Sequence, residues 1–399
     1  MRTERASGNA RWLLCWGLAA AFACGGAWAE DVTPAATLDG GDDGMAMPHH
    51  HGHGDHSPVP AGVEGANMVG AGQAVFNYRP MFMHMQDNYI GTDKVSPETI
   101  ATTVPSGTSM MMPGMGMGMG PGGMMMPEDY RIVPTSMSVQ MHMFSAMVGI
   151  TDWLNLMAMT SYQHKSMTMK TFAGATGTNV AGFSTASTSG IGDTMIGSLW
   201  RVYQDAGNHV HLSLGVSLPT GSDKEEVSML SPMGMFMTMR GSYGMQLGTG
   251  TYDVLPGITY TGHEARWSWG AAYRGRFALD KNNKGYRYGN LNALTGWAGY
   301  LIAPGISLTA RVEGATQGRI SGADPQISGL MQGTNPLFYG GQRINLLGGV
   351  SVDGGRWGWH GFHVALEGGA PVYQNLHGPQ LGEGWVATLS VGLSVGGGM

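Results

Sequence analysis

The chain has 399 residues, 42% of them hydrophobic and only 12% charged, with 67 glycines and 33 methionines. An ordinary soluble domain is about 25% charged, and beyond residue 29 no apolar run approaches the roughly 18 residues a spanning helix needs. A water-facing globule and a helical membrane protein are both excluded, and a net charge of −6 argues against nucleic acid as a partner.

In chain order, Arg2, Arg5 and Arg11 precede the apolar stretch "WLLCWGLAAAFACGG", and "AWA" ends at Ala29. This pattern predicts a secretory signal over 1–29. An acylated Cys24 is the weaker alternative, because the preceding "AFA" lacks leucine. Cys15 and Cys24 both fall in this segment, so a metal site in the mature chain must use Met, His or carboxylate donors. Losing Arg2, Arg5, Arg11 and Glu4 from 21 basic and 27 acidic residues leaves 18 against 26. Residues 30–72 are rich in Gly, Ala, Pro and Asp and predict a disordered leader. It carries Met45, Met47, His49, His50, His51, His53 and His56, a composition that gathers metal ions.

From Gln73 apolar and polar residues alternate in stretches of roughly 10 to 14, the expected signature of transmembrane strands. Twelve are predicted, at about 73–85, 136–148, 154–167, 191–204, 209–219, 249–262, 267–280, 290–301, 305–317, 341–353, 359–373 and 385–396. Long and short connections alternate, which predicts an all-β, up-and-down antiparallel barrel of about 12 strands over 73–399, with long Met-rich outer loops and outer-membrane lipid around it. In "HVHLSLGVSL" Val210, Leu212, Leu214 and Val216 alternate with His209, His211, Ser213 and Gly215. The polar parity of each strand predicts a lumen lined by Arg79, Asp193, Arg201, His209, His211, Arg274, Arg276, Arg311, Glu313, Arg343 and Glu367. Paired charges of this kind commonly hold a barrel in shape or set ion preference. Tryptophans near strand ends, such as Trp153, Trp267 and Trp359, predict an interfacial girdle.

The methionines do not follow composition alone. Met81 and Met83 share parity with Arg79, and Met157, Met159, Met167 and Met169 share it with Gln163 and Lys165, so these are predicted to face the lumen. Met141 and Met143 oppose Gln140 and His142 and are predicted on the lipid side. A glycine- and proline-rich tract adds Met110, Met111, Met112, Met115, Met117, Met119, Met124, Met125 and Met126. A second loop adds Met233, Met235, Met237 and Met239. Thioethers favour Cu(I) and silver, and imidazoles favour Cu(II). Copper or silver is therefore the expected inorganic ligand, with no organic cofactor, and periplasmic metal-handling proteins are the expected partners. The apolar alternative is that methionine merely lines the interior as adaptable packing. No local motif places a nucleophile beside a base, so an enzyme is not expected.

The block "MSVQMHMFSAMVGITDWLNLMAMTSYQHKSM", with "GIGDTMIGSLWRV" and "HLSLGVSLPTG", resembles the outer-membrane barrel family labelled MetA-pathway of phenol degradation, in particular a methionine-rich branch of transporter-like porins. The likeness runs over most of residues 73–395 and is strongest over 137–221. It implies a pore-like barrel and uptake of aromatic compounds. Neither the histidine cluster nor the 110–127 tract belongs to that family pattern. The leading expectation is thus passage or binding of copper-like ions, and the alternative is uptake of small aromatic or other hydrophobic compounds.

Overall fold

A computed structural model describes residues 58–106 and 129–396, and its architecture is an antiparallel sheet closed on itself. In chain order the wall strands are β1 (Ala74–Gly91), β2 (Ile132–Thr151), β3 (Leu154–Phe172), β4 (Val180–Ile191), β5 (Thr194–Gln204), β6 (Asn208–Leu218), β7 (Asp253–Glu264), β8 (Trp267–Ala278), β9 (Leu291–Ala303), β10 (Ile306–Gln317), β11 (Gly341–Asp353) and β12 (Phe362–Val395). Each pairs with its sequence neighbour, except that β5 rather than β4 links β3 to β6, and β12 pairs β1 to close the ring. Eleven strands form that ring, while β4 and the short strand Asp93–Val95 lie outside it.

Two irregularities reconcile this ring with the repeat in the sequence. β4 and β5 pair successive halves of β3, residues 162–172 and 154–159, so together they make one crossing broken at Gly192 and Asp193. β12 doubles back on itself: its first part pairs β11 up to Leu376 and its second pairs β1 from Leu376 onward. The Ser394 amide donates to Gly361 at 2.7 Å, which brings the two ends of this 34-residue element together. The predicted loop over 168–190 is corrected by the structure, because β3 continues to Phe172 and β4 begins at Val180. Ser, Thr and Gly dominate β4, so its apolar alternation is too weak to read, and pairing with β3 orders it instead.

Side-chain alternation sets the two faces. On β10, Leu308 and Val312 are 51% and 48% exposed, whereas Arg311 between them is 6% exposed. Phe76, Phe82, Phe144, Leu212, Leu294 and Leu366 continue the exposed apolar belt around the ring. Such a surface is stable only against acyl chains. Among the described residues no helix is long and apolar enough to cross a membrane, so the strands supply the crossing. Trp153, Trp267 and Trp359 are exposed at the short-turn end.

The short turns are held locally. Asp205 accepts from the amides of Gly207 and Asn208 at 2.8 and 2.7 Å and from the Tyr203 hydroxyl at 2.8 Å. The Gly207 amide, the Tyr203 hydroxyl and the Asn208 amide hold its carboxyl at about 2, below the ordinary 3.8. A depressed carboxylate stabilises above its unfolded value and loses that contribution as pH falls through its folded value. Hydrogen-exchange protection at Gly207 and Asn208 is therefore expected to be intact above pH 4 or so and to fade toward pH 2. Asp205→Asn should weaken the protection and flatten its pH dependence.

Candidate lumenal site

Residues 58–72 are the first departure from the expected disordered leader. They rise into the lumen from the short-turn end, turn over near Glu64 and descend to β1. The Ser268 hydroxyl donates to the Pro58 carbonyl at 3.3 Å, and the Gly62 amide donates to Glu367 Oε2 at 2.9 Å. Glu64 forms an ion pair with Arg79, accepts from the Ser145 hydroxyl at 3.0 Å, and offers its backbone carbonyl to Arg274 at 3.1 Å. On the descent, His211 Nε2 lies 2.9 Å from the Gly65 carbonyl, and Asn155 donates to the Val69 carbonyl at 3.2 Å. Val63 and Ala66 pack against Trp297 and Ala272, while Met68 packs against Met147 and Leu199. A side chain at Gly149 would run into the Gly70 carbonyl, so the closing leg requires glycine there. The segment is a plug: its backbone carbonyls are satisfied by wall side chains. The disordered boundary at residue 72 is corrected accordingly, because local composition gives no view of a preformed polar wall.

The sequence-predicted polar residues fall around this plug and above it. Arg311 makes two bonds to Glu367, at 2.8 and 3.1 Å, and one to Glu313 at 2.6 Å. Arg343 lies 3.4 Å from Glu383, which also accepts from Asn345 at 2.9 Å. Arg276 pairs with Asp253 at 2.8 Å. His209 and His211 stack with ring centroids 5.9 Å apart. Arg201 sits nearer the short-turn end and donates to Gln204 at 2.7 Å. Asp193, in the break between β4 and β5, accepts from the amides of Gly221 and Thr249 at 3.0 and 2.8 Å and so anchors the 218–253 connection.

That connection folds inward rather than standing free as a loop. Lys165 donates to the carbonyls of Gly244 and Gln246 at 3.1 and 2.5 Å, and Thr188 donates to the Met245 carbonyl at 2.8 Å. The 317–341 connection follows it in, because the amides of Arg131 and Ile132 both donate to the Leu330 carbonyl. Tyr243 makes edge-on contacts to Tyr286 of the 278–291 connection at 4.8 Å and to Tyr339 of the 317–341 connection at 5.6 Å. Burial pushes the Tyr339 phenol up to about 12, so this aromatic cap stays neutral.

The connections and the wall close on one another in an apolar chamber filled by its own side chains, in which Ile132, Met137, Val139, Met167, Met169 and Ala186 of the wall pack against Val227, Met229, Met245 and Met331 from the connections. Met83, Met85 and Met239 pack against it. Met233, Met235 and Met237 do not join it: they are exposed on the hairpin formed by Glu226–Leu230 and Phe236–Arg240.

The wall methionines continue below the chamber. Met85, Met137 and Met167 face one another directly across β1, β2 and β3. Met83 lies opposite Val139 on the next level down, and Met81 opposite Met141 on the next. Met143 follows, opposite Arg79. Met159 is then opposite Met195, and Met147 opposite Met157. The lipid-side prediction for Met141 and Met143 is thus wrong. Met141 sits between Met81 and the buried Gln163, while Gln140 opposes exposed Phe82, and His142 takes a 2.8 Å bond with the outward Tyr78 hydroxyl. Polarity misled the reading on β2 because the outer face is locally polar there.

Among the described residues no group of three or more His, Cys, Asp or Glu side chains converges as a metal site. Met45, Met47, the histidines at 49–56 and the methionines at 110–126 lie outside the described residues, as does the predicted signal at 1–29. Sequence reasoning missed Glu64, Glu383, Met229, Met245 and Met331. The available signal for Glu64 was its place as the single charge in "PVPAGVEGANMVGAG".

Closed antiparallel pairing, an apolar outer belt and a polar and sulfur-lined interior define the class as an outer-membrane β-barrel. No protein-family model matches the chain, and no curated protein matches it. The narrower phenol-degradation label therefore receives no support from a family match. Among solved structures, the COG4313 outer membrane channel from Pseudomonas putida F1 is 11% identical, with a TM-score of 0.50 over 84% of this chain and 99% of that one. The P. putida toluene transporter TodX is 9% identical, with a TM-score of 0.38 over 83% of this chain and 92% of that one. The Ralstonia pickettii toluene transporter TbuX is 12% identical, with a TM-score of 0.39 over 82% of this chain and 90% of that one.

Proposed function

We propose that this chain is an outer-membrane channel that admits small apolar compounds, aromatic hydrocarbons among them, with its long connections outside the cell and its short turns toward the periplasm. The observation that carries the reading is the apolar, methionine-rich packing between the inward connections and the wall. Burying apolar surface is worth about 25 cal/mol per Å², so an apolar solute that parts these side chains gains from contact with them, whereas sugars and ions gain nothing there. The likeness to an outer membrane channel supports the channel part of the reading. The plug at the opposite end supports a gated path rather than an open pore.

The test overpacks the chamber. Ala186 is 2% exposed and lies opposite Met167. Ala186→Phe intrudes on the chamber and costs roughly 1–3 kcal/mol in overpacking, which a closed barrel tolerates. Uptake of toluene by cells or proteoliposomes carrying this variant is expected to fall severalfold against wild type, with surface expression unchanged. Wild-type protein that transports arabinose as fast as toluene, or a variant that takes up toluene normally, would overturn the proposal.

A further inference from the structure

Methionine in the barrel wall is confined to one side. Three lie on β1, four on β2, four on β3 and one on β5, while β6 to β12 contain none. The strand registers place them on the lumen face, and from the level of Met137 to that of Met147 every level has at least one. Successive levels are two residues apart, about 6.5–7 Å along a strand. A continuous stripe of thioethers therefore runs from the upper chamber to the plug.

Apolar lining alone does not account for this distribution. Strands favour β-branched and aromatic residues, and these same strands use them outward, at Phe76, Phe82, Phe144 and Val148. What methionine adds on the inner face is a soft sulfur donor on a flexible stem. Donor density is highest at the level of Met137. Met85, Met137 and Met167 are direct cross-strand neighbours, a relation that puts β-carbons about 4.5–5.5 Å apart. Met229, Met245 and Met331, each no more than 1% exposed, close the same chamber from the inward connections.

We propose that this wall binds soft monovalent cations, Cu(I) or Ag(I), with Met85, Met137 and Met167 as the principal site and the lower levels as successive exchange positions toward the plug. Each step swaps one thioether for another at an ion of unchanged charge, so no electron or proton moves. Individual thioether bonds are weak, and tethering several supplies the affinity. The proposal goes beyond the apolar-solute channel and does not depend on it, because apolar contact needs no sulfur.

The experiment titrates silver nitrate into full-length protein in chloride-free detergent buffer. Affinity and stoichiometry are read by calorimetry and elemental analysis, and the ligand shell by X-ray absorption. The Met85→Leu, Met137→Leu, Met167→Leu variant keeps the apolar surface and removes three donors. The leader histidines and the 110–126 tract remain in every variant, so the difference isolates the wall. Expected are a sulfur-dominated shell in wild type, loss of at least one tight equivalent in the triple variant with affinity down on the order of 100-fold, and no loss in Met233→Leu, Met235→Leu. If the triple variant does not fold, Met137→Leu alone and Met81→Leu, Met141→Leu must each show a graded loss. Silver binding unchanged in the folded wall variants, or a nitrogen-dominated shell in wild type, overturns the proposal.

Discussion

Glu64→Ala is expected to release the plug and raise single-channel conductance, with longer open dwell times and new protease sensitivity within residues 58–72. Glu64 is the counter-charge to Arg79, whose side chain is 8% exposed, and its carbonyl is a partner of Arg274. Removing one member of a buried pair typically costs about 3–5 kcal/mol. At 1.4 kcal/mol per factor of ten, the docking equilibrium constant falls on the order of 100- to several thousand-fold. Barrel stability should change far less, because the wall strands keep their ladder. Glu64→Asp, which retains the charge at shorter reach, should lie between. Conductance and proteolysis both matching wild type in Glu64→Ala would show that the plug is held by its backbone contacts alone.

Arg311 carries the second large effect. It is 6% exposed and balances Glu367, itself 1% exposed, together with Glu313. Arg311→Leu leaves two carboxylates facing each other without a cation, and a loss of about 3–5 kcal/mol is expected in denaturant titrations of the micelle-bound barrel. The double replacement Arg311→Leu, Glu367→Leu should recover much of that loss, since exchanging a whole buried pair for apolar groups is often close to neutral. Recovery stays incomplete because Glu367 also holds the Gly62 amide. A double-mutant cycle gives the coupling energy directly. Additive losses in the cycle would mean that the two side chains act independently and would remove the pair from the account of barrel stability.

The plug and the chamber make different demands on the same lumen. The plug is tied by directional bonds to Glu367, Arg274, His211 and Asn155, which fix a backbone segment in one arrangement. The chamber is filled by side chains of high torsional freedom, chiefly methionines, packed without backbone hydrogen bonds of their own.

The sequence by itself pointed to an antiparallel barrel and to which face of most strands is apolar and exposed. Strand parity has a period of two, so one misplaced residue would invert a whole strand. His211, Arg274, Arg311, Glu313 and Glu367 were legible as lumen residues for that reason. Parity also placed Met81, Met83, Met157, Met159, Met167 and Met169, and it failed on β2, where polar Gln140 and His142 face outward beside Tyr78 and Phe82. Tertiary structure alone decided what fills the interior. Residues 58–72 have no periodicity of their own and become ordered only because wall side chains satisfy their amides and carbonyls. Met229, Met245 and Met331 lie far from β1–β3 in sequence and reach the chamber because Lys165, Thr188 and the Arg131 and Ile132 amides draw two connections inward. Local alternation encodes which way a strand faces; long-range hydrogen bonds, invisible to any local pattern, encode what comes to rest inside the ring.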